Sequence, residues 1–524
     1  MKTNFGRAMK LFSKHFSDKE ALVNTERNRR YTFSELHLLT NKIANMIRLD
    51  FNLRRGDCFV NILENDNLSL LHLWTIFKGE AVGAFSNIRD SINIHLQQID
   101  QAEPKLVFIE NYLLDNYYEP LRKRGIEIVC MDTISDARDG VHYFWDHVDK
   151  ASDEEVDVEH DMEKDVVLFR FTGGTTGQGK CAEYTLGNWY GARLMCYSHP
   201  ERVFSPDTRF LHIAPISHAS GLFINPTVFQ GGCTLTLNIP DMVKFCEVIE
   251  TEKINLTLLI PILCYRLLEE DIGQYDLSSL ETILYGASPM NPGNLEQLQE
   301  KFGNIFVQGY AATECVAPIS ILSHADHIVK TEEDKKRLGS AGRVVPGMEI
   351  KVVDQDGNEL PNGEIGEICV RSSAVIRGYF KNPKDTKKEF FDGWWKSGDL
   401  GYLDEEGYIF LHDRKKDMII SGGFNVYAVE VENVINMHPD VASSAIIGIP
   451  HDEWGESVHA EVILKAGKCL TENDLINYVK GKIGSYKSPK TVKFVDILPF
   501  SVVGKLLRRQ VREKYWAGKE RQIN

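Results

Sequence analysis

The chain lacks any long apolar run. Nowhere in its 524 residues is there the stretch of about 18 apolar residues that a membrane helix requires, so no transmembrane segment is expected. Charges at Lys2, Arg7, Lys10, Lys14, Asp18 and Lys19 interrupt the start of the chain too often for the apolar centre of a signal peptide. An excess of positive charge is missing too. A formal net charge of −15 argues against a general nucleic-acid binder, which is normally basic. Paired cysteines are absent as well. The ten cysteines are scattered from Cys58 to Cys469 without a C-x-x-C pair. That spacing excludes a disulfide framework and a zinc site, and it suits reduced thiols in a cytoplasmic protein. Neither an internal repeat nor a low-complexity segment is present.

What is present suits a large α/β enzyme. A chain of this length exceeds one compact core, so at least two domains are expected. Apolar runs at Cys58–Leu63, 105–109, Glu127–Cys130, 209–213 and 282–285 read as strands, and Leu68–Lys78 reads as an amphipathic helix. Strands alternating with helices predict mostly parallel sheets covered by helices. Between Glu349 and Val370 the turn signals at 354–357 and 361–363 predict an antiparallel unit. A charged joint follows at 413–417. Beyond it, strands at 443–449, 459–465 and 491–495 and a helix over Glu472–Ile483 predict a compact α+β unit. The expected organisation is an N-terminal domain over 1–413, a hinge at 414–416 and a C-terminal domain over 417–524. From Lys480 onward twelve lysines and arginines face only Asp496, Glu513 and Glu520. Such a tail reads either as a solvated helical face or as a surface for a polyanion.

The most informative stretch is Phe171-Thr-Gly-Gly-Thr-Thr-Gly-Gln-Gly-Lys180, directly after the strand-like 165–170. Glycines let backbone N–H groups turn inward around an anion. Threonine hydroxyls add donors, and a lysine adds a point charge. The segment 174–181 also fits G-x-x-x-x-G-K, but Cys181 stands where a P-loop requires Ser or Thr for magnesium. A surface loop without ligand is the remaining reading of the stretch alone.

Further segments follow in order: 215–221 (Pro-Ile-Ser-His-Ala-Ser-Gly), 285–290 (Tyr-Gly-Ala-Ser-Pro-Met), 308–314 (Gln-Gly-Tyr-Ala-Ala-Thr-Glu), 394–399 (Trp-Trp-Lys-Ser-Gly-Asp) and 498–505 (Leu-Pro-Phe-Ser-Val-Val-Gly-Lys). Together with the glycine/threonine loop they resemble the motif series of the adenylate-forming superfamily, in particular its acyl-CoA synthetases. The resemblance runs through nearly the whole chain. It implies a large N-terminal domain of stacked, mostly parallel α/β sheets with a small β-barrel-like unit, and a small mobile α+β C-terminal domain.

The resemblance also implies roles. Thr172, Gly173, Gly174, Thr175, Thr176, Gly177 and Lys180 would cradle the ATP phosphates. Gly179 and Cys181 depart from the family's usual Pro and Gly around that lysine. His218 would sit near the substrate carboxylate. Gly286, Ala287 and Ser288 would line the adenine. Tyr310 would offer an aromatic face to the base, Thr313 a donor to phosphate, and Glu314 a hard oxygen ligand for Mg²⁺. Ala311 replaces the family's usual glycine, and Ser397 its threonine. Asp399 would accept from two ribose hydroxyls, as acidic residues do elsewhere. Arg414 would bind ribose or phosphate from the joint. Lys416 would mark the hinge, Gly422 and Gly423 would line a thiol channel, and Lys505 would act as the catalytic lysine.

The implied reaction has two steps, with ATP, Mg²⁺ and coenzyme A as cofactor and co-substrates. A carboxylic acid is joined to AMP with loss of pyrophosphate, then a thiol displaces AMP. Three rivals stand beside it: loading of a separate carrier protein, a luciferase-like oxygenase, and a silent nucleotide-binding module. The identity of the acid and the oligomeric state are not legible in the sequence.

Overall fold

The computed structural model describes residues 1–132, 138–172, 179–198, 204–288, 290, 292–501 and 506–517. Among these, the first sheet has seven strands in the order Cys181–Thr185, Val166–Phe171, Val82–Phe85, Cys58–Ile62, Leu106–Ile109, Glu127–Cys130 and Val141–Tyr143. All its pairings are parallel except the first, an antiparallel hairpin around the glycine/threonine loop. Apart from Asn61, Glu127 and Arg170, its interior strands are apolar runs, as expected for parallel strands covered on both faces.

The second sheet has nine strands. Its parallel centre runs Phe306–Ala312, Thr282–Gly286, Leu256–Leu259, Arg209–His212, Cys233–Thr236 and Glu20–Asn24. Antiparallel strands cap it at both edges. One core cluster joins the facing layers, with Phe59, Phe85 and Leu168 from the first sheet and Leu22, Val316 and Ile319 from the second. Phe5, Phe33, Phe77 and Trp189 from intervening helices fill it. The predicted antiparallel unit is present: Glu349–Val353 pairs Gly366–Arg371, which pairs Trp394–Leu403.

The C-terminal α+β unit has its own core around Ile446, Val458, Val462 and Leu475. Its helix spans Glu472–Ile483, as the sequence predicts. The joint is a turn in which the N–H groups of Asp417 and Met418 both donate to the Arg414 carbonyl, at 2.9 and 3.1 Å.

One expectation needs correction. The single helix predicted over Leu68–Lys78 is two, Asn65–Leu71 and Leu73–Lys78. His72 between them is extended (φ −72°, ψ −167°), so the helical ladder cannot continue through it. The basic tail is not simply a free cationic surface. Lys487, Arg508, Arg509, Arg512 and Lys514 are engaged by Glu430, Glu432, Glu513, Asp417 and Glu461. Among the described residues no helix is long and apolar enough to cross a membrane. The nine cysteines described are free thiols, and only Cys469 is exposed.

Candidate active site

The site lies where the parallel strands end, at the carboxyl edge favoured by ligands in open α/β sheets. Thr172 and Lys180 form the mouth of the glycine/threonine loop. The Thr172 N–H donates to the Lys180 carbonyl at 2.9 Å, and the Lys180 N–H donates to Thr172 Oγ1 at 3.0 Å. Gly179 is required here, because a Cβ would stand 2.6 Å from the Thr172 carbonyl oxygen. Gly173, Gly174, Thr175, Thr176 and Gly177 lie outside the described residues.

The Lys180 ammonium is paired with Glu389 and stands 4.7 Å from the Tyr379 ring centroid. The Tyr379 hydroxyl contacts Glu314 Oε1 at 2.7 Å and also reaches Glu389. Two carboxylates and a lysine thus share one phenol. Burial pushes the Glu314 carboxyl up, opposed by the Tyr379 hydrogen bond and reinforced by the negative charge of Glu389. A divalent cation would relieve that cost. One or two carboxylates completed by phosphate oxygens suit Mg²⁺, so the donor set fits the ion. Neither Tyr379 nor Glu389 was a sequence candidate. Each lies more than sixty positions beyond Glu314, and neither carries a local motif.

On the neighbouring strands the Tyr310 hydroxyl donates to Asp399 Oδ2 at 2.6 Å. Arg414 Nε approaches Asp399 Oδ1 at 3.1 Å. The strands Trp394–Leu403 and Ile409–Arg414 pair in a register that sets residue 399 opposite 414. Burial, with Asp399 next, holds the Tyr310 phenol well above its ordinary value, so it remains a donor. The structure therefore brings together three residues that the sequence proposed separately. The backbone carbonyl of Thr313 accepts from the Tyr184 hydroxyl, which ties this turn to the first sheet.

Gly286 ends its strand against Gly309. A Cβ there would meet the Gly309 carbonyl oxygen at 2.4 Å. Ala287 follows with φ +69°, a left-handed backbone at the start of the turn that includes Ser288. Gly286→Val is expected to force the two strands apart. Overpacking of this kind costs about 1–3 kcal/mol, which differential scanning calorimetry would read as a lowered midpoint. An unaltered midpoint would mean that the close approach is not required.

His218 hydrogen-bonds through Nδ1 to Ser217 Oγ at 3.1 Å. Burial first, then the positive charge of Arg170, lowers its pKa to about 4. It is a neutral imidazole at physiological pH, able to orient an acid but not to pair with it as a cation. Gly422 and Gly423 have φ +58° and +83° and form the two-residue turn of the hairpin Ile419–Ser421 with Phe424–Val426. Positive φ at both positions is what such tight hairpins demand. Lys416 sits in the turn at the joint. Lys505 lies outside the described residues. The flanking chain is tied: Leu507 N–H donates to the Pro499 carbonyl at 2.9 Å, and Glu432 clamps Arg508.

The Tyr310–Asp399–Arg414 cluster, the loop mouth at Thr172 and Lys180, and the Glu314–Tyr379–Glu389 group are contributed by three different sheets of a mixed α/β protein. Comparison with known sequences narrows that class: the chain belongs to the AMP-binding enzyme family. The family's main model matches residues 10–380, and the model of its C-terminal domain matches residues 430–505. The resemblance to adenylate-forming enzymes is borne out, and so is the expected fold. Medium/long-chain-fatty-acid–CoA ligase FadD8 of Mycobacterium tuberculosis is 37% identical over 366 residues, covering 68% of this chain and 63% of that protein. The match thus spans less than two thirds of FadD8. Feruloyl-CoA synthase of an Amycolatopsis species is 34% identical over 375 residues, covering 70% of this chain and 73% of that one. The solved structure of ATP-bound MatB from Rhodopseudomonas palustris superposes with a TM-score of 0.86 at 28% identity, covering 97% of this chain and 99% of that one. The apo form of MatB gives a TM-score of 0.75 over the same shares.

Proposed function

We propose that the chain is an ATP-dependent carboxylic acid–CoA ligase. The observation that carries this reading is the Tyr310–Asp399–Arg414 cluster, set on strands adjoining the Glu314 turn and the loop mouth. In the first step an oxygen of the acid attacks the α-phosphorus of ATP. The bond from that phosphorus to the pyrophosphate oxygen breaks, leaving an acyl-adenylate. In the second, a thiol sulfur attacks the acyl carbon and the bond to the AMP oxygen breaks. The thiol proton leaves to solvent. Positioning and charge neutralisation dominate such phosphorus chemistry.

Asp399 holds the ribose hydroxyls. Thr172, Lys180 and the 173–177 segment bind the phosphates, and the Lys180 ammonium exchanges Glu389 for a phosphate oxygen as they enter. Gly286, Ala287 and Ser288 form the adenine wall, and Thr313 gives a phosphate donor. Glu314 holds Mg²⁺, which when bound neutralises phosphate charge. Neutral His218 orients the acid. The domain boundary is the turn at 414–416, about which residues 417–524 rotate. Gly422 and Gly423 then admit the thiol of coenzyme A. Two relatives named for CoA products support this acceptor, and the better fit to ATP-bound than to apo MatB supports an arrangement close to the first step. A cytoplasmic location follows from the supply of both co-substrates and from the unpaired cysteines.

A panel of carboxylic acids assayed for AMP release with coenzyme A tests the reading. AMP is expected only when acid and thiol are both present, with the acyl thioester detected by mass spectrometry. ATP binding without acid-dependent pyrophosphate exchange would mark a silent module instead. Thioester formation only on a carrier protein would reassign the acceptor.

A further inference from the structure

Arg170 lies on the inner face of strand Val166–Phe171, two residues before the loop mouth. Side chains alternate along a strand: Phe169 and Phe171 enter the outer core of the first sheet, while Leu168 and Arg170 face the inner layer. Arg170 is only 6% exposed. Its guanidinium carbon stands 5.9 Å from the Phe85 ring centroid and 5.8 Å from that of Trp189. Among the described residues no carboxylate answers it. Its Nε and Nη2 are buried without a hydrogen-bond partner, and no ion pair among the described residues involves it. A guanidinium stays charged at any ordinary pH, and a buried charge normally has a partner. Nothing in the proposed nucleotide chemistry uses this one.

The surroundings are also polar and incomplete. His72, 1% exposed, stacks on Phe85 at 4.8 Å. Both its ring nitrogens are buried without a close hydrogen-bond partner, and the Ile216 carbonyl is the backbone acceptor that acts on the imidazole, opposing the effect of burial. The same histidine faces Gly221, where a Cβ would meet its Nε2 at 2.7 Å. Gly221 belongs to the segment that carries His218. Arg170 depresses both imidazoles electrostatically, after burial, so one cation stands beside two neutral imidazoles. Trp189, whose ring lies 5.8 Å from the Arg170 guanidinium, also lines an apolar pocket with Leu222, Phe223, Val316 and Pro318.

We propose that the acid this chain activates is a dicarboxylic acid, and that Arg170 receives the carboxylate that does not react, with His72 donating to it. The inference rests on the ligase reading above. The reacting carboxylate is the poorer occupant for Arg170. A guanidinium locked onto it would stabilise the attacking anion in the ground state, and such binding does not speed the step. A second carboxylate keeps its charge through both steps, so pairing it costs no catalysis.

The test pairs linear diacids and monoacids of equal chain length, from four to ten carbons, in acid-dependent pyrophosphate release by the full-length wild-type protein. The expected result is a kcat/KM for the best diacid at least 100-fold above that of its monoacid partner. Arg170→Met is expected to lower that ratio at least 100-fold, and Arg170→Lys to restore part of it. Monoacids preferred by the wild type would overturn the proposal and leave the ligase reading intact, as would equal losses for both classes in Arg170→Met. No release with any acid would overturn the ligase reading itself. The wild-type comparison stands whether or not the variants fold.

Discussion

Asp399→Asn is expected to raise the KM for ATP roughly 10–100-fold while kcat changes little. The carboxylate makes charge-assisted hydrogen bonds, each worth about 1.5–3 kcal/mol, and it would spend two on a ribose. Asparagine keeps the shape but offers a neutral acceptor and a donor. Losing about half of each bond removes roughly 1.5–3 kcal/mol in total, or one to two factors of ten. The ribose does not react, so ground and transition states lose equally and KM carries the effect. Within the protein the Asn side chain can still accept from Tyr310. Arg414, whose Nε lies 3.1 Å from Asp399 Oδ1, loses its counter-charge, which adds a small loss of thermal stability. Steady-state kinetics at varied ATP would check this. An unchanged KM would remove Asp399 from the nucleotide site.

Lys505→Ala should have a different signature. A cation aimed at charge that develops in the transition state is worth about 2.7–4 kcal/mol, so formation of the acyl-adenylate should fall roughly 10²–10³-fold. Thioester formation from supplied acyl-AMP should be largely spared, because that step no longer needs the lysine at the α-phosphate. Leu498 is buried, the Leu507 N–H returns to the Pro499 carbonyl, and Arg508 is held by Glu432. The described residues on either side of the mutation are thus held in place, and circular dichroism should show an intact fold. Equal loss of both half-reactions would show that Lys505 serves some purpose common to both.

Most of the fold was legible because its signals are local. The strand at Val166–Phe171, the hairpin unit around residue 360 and the helix Glu472–Ile483 each follow from apolar runs, turn residues and periodicity. The helix break at His72 was not. It is imposed by packing, with the imidazole stacked on Phe85, and periodicity alone does not sense a ring on another strand. The site was half legible. Asp399, Tyr310, Arg414 and Glu314 sit in recognisable motifs and do converge. Tyr379 and Glu389 gain their place only because Tyr379 bridges back to Ala182 beside the loop mouth. Arg170 sat in an apolar run and read as strand. Its burial without a counter-charge became visible only when Trp189 and Phe85 closed over it. The basic tail reads in sequence either as a solvated face or as a polyanion surface. Five of its cations look free in sequence and are held by acids that lie up to 95 positions away.

The central claim is that a carboxylate oxygen attacks the α-phosphorus of ATP. Isotope transfer tests it most directly. An accepted acid labelled in both carboxylate oxygens with ¹⁸O, turned over with ATP and coenzyme A, should place one ¹⁸O in each AMP and none in pyrophosphate. Label in inorganic phosphate, or AMP without label, would contradict the account.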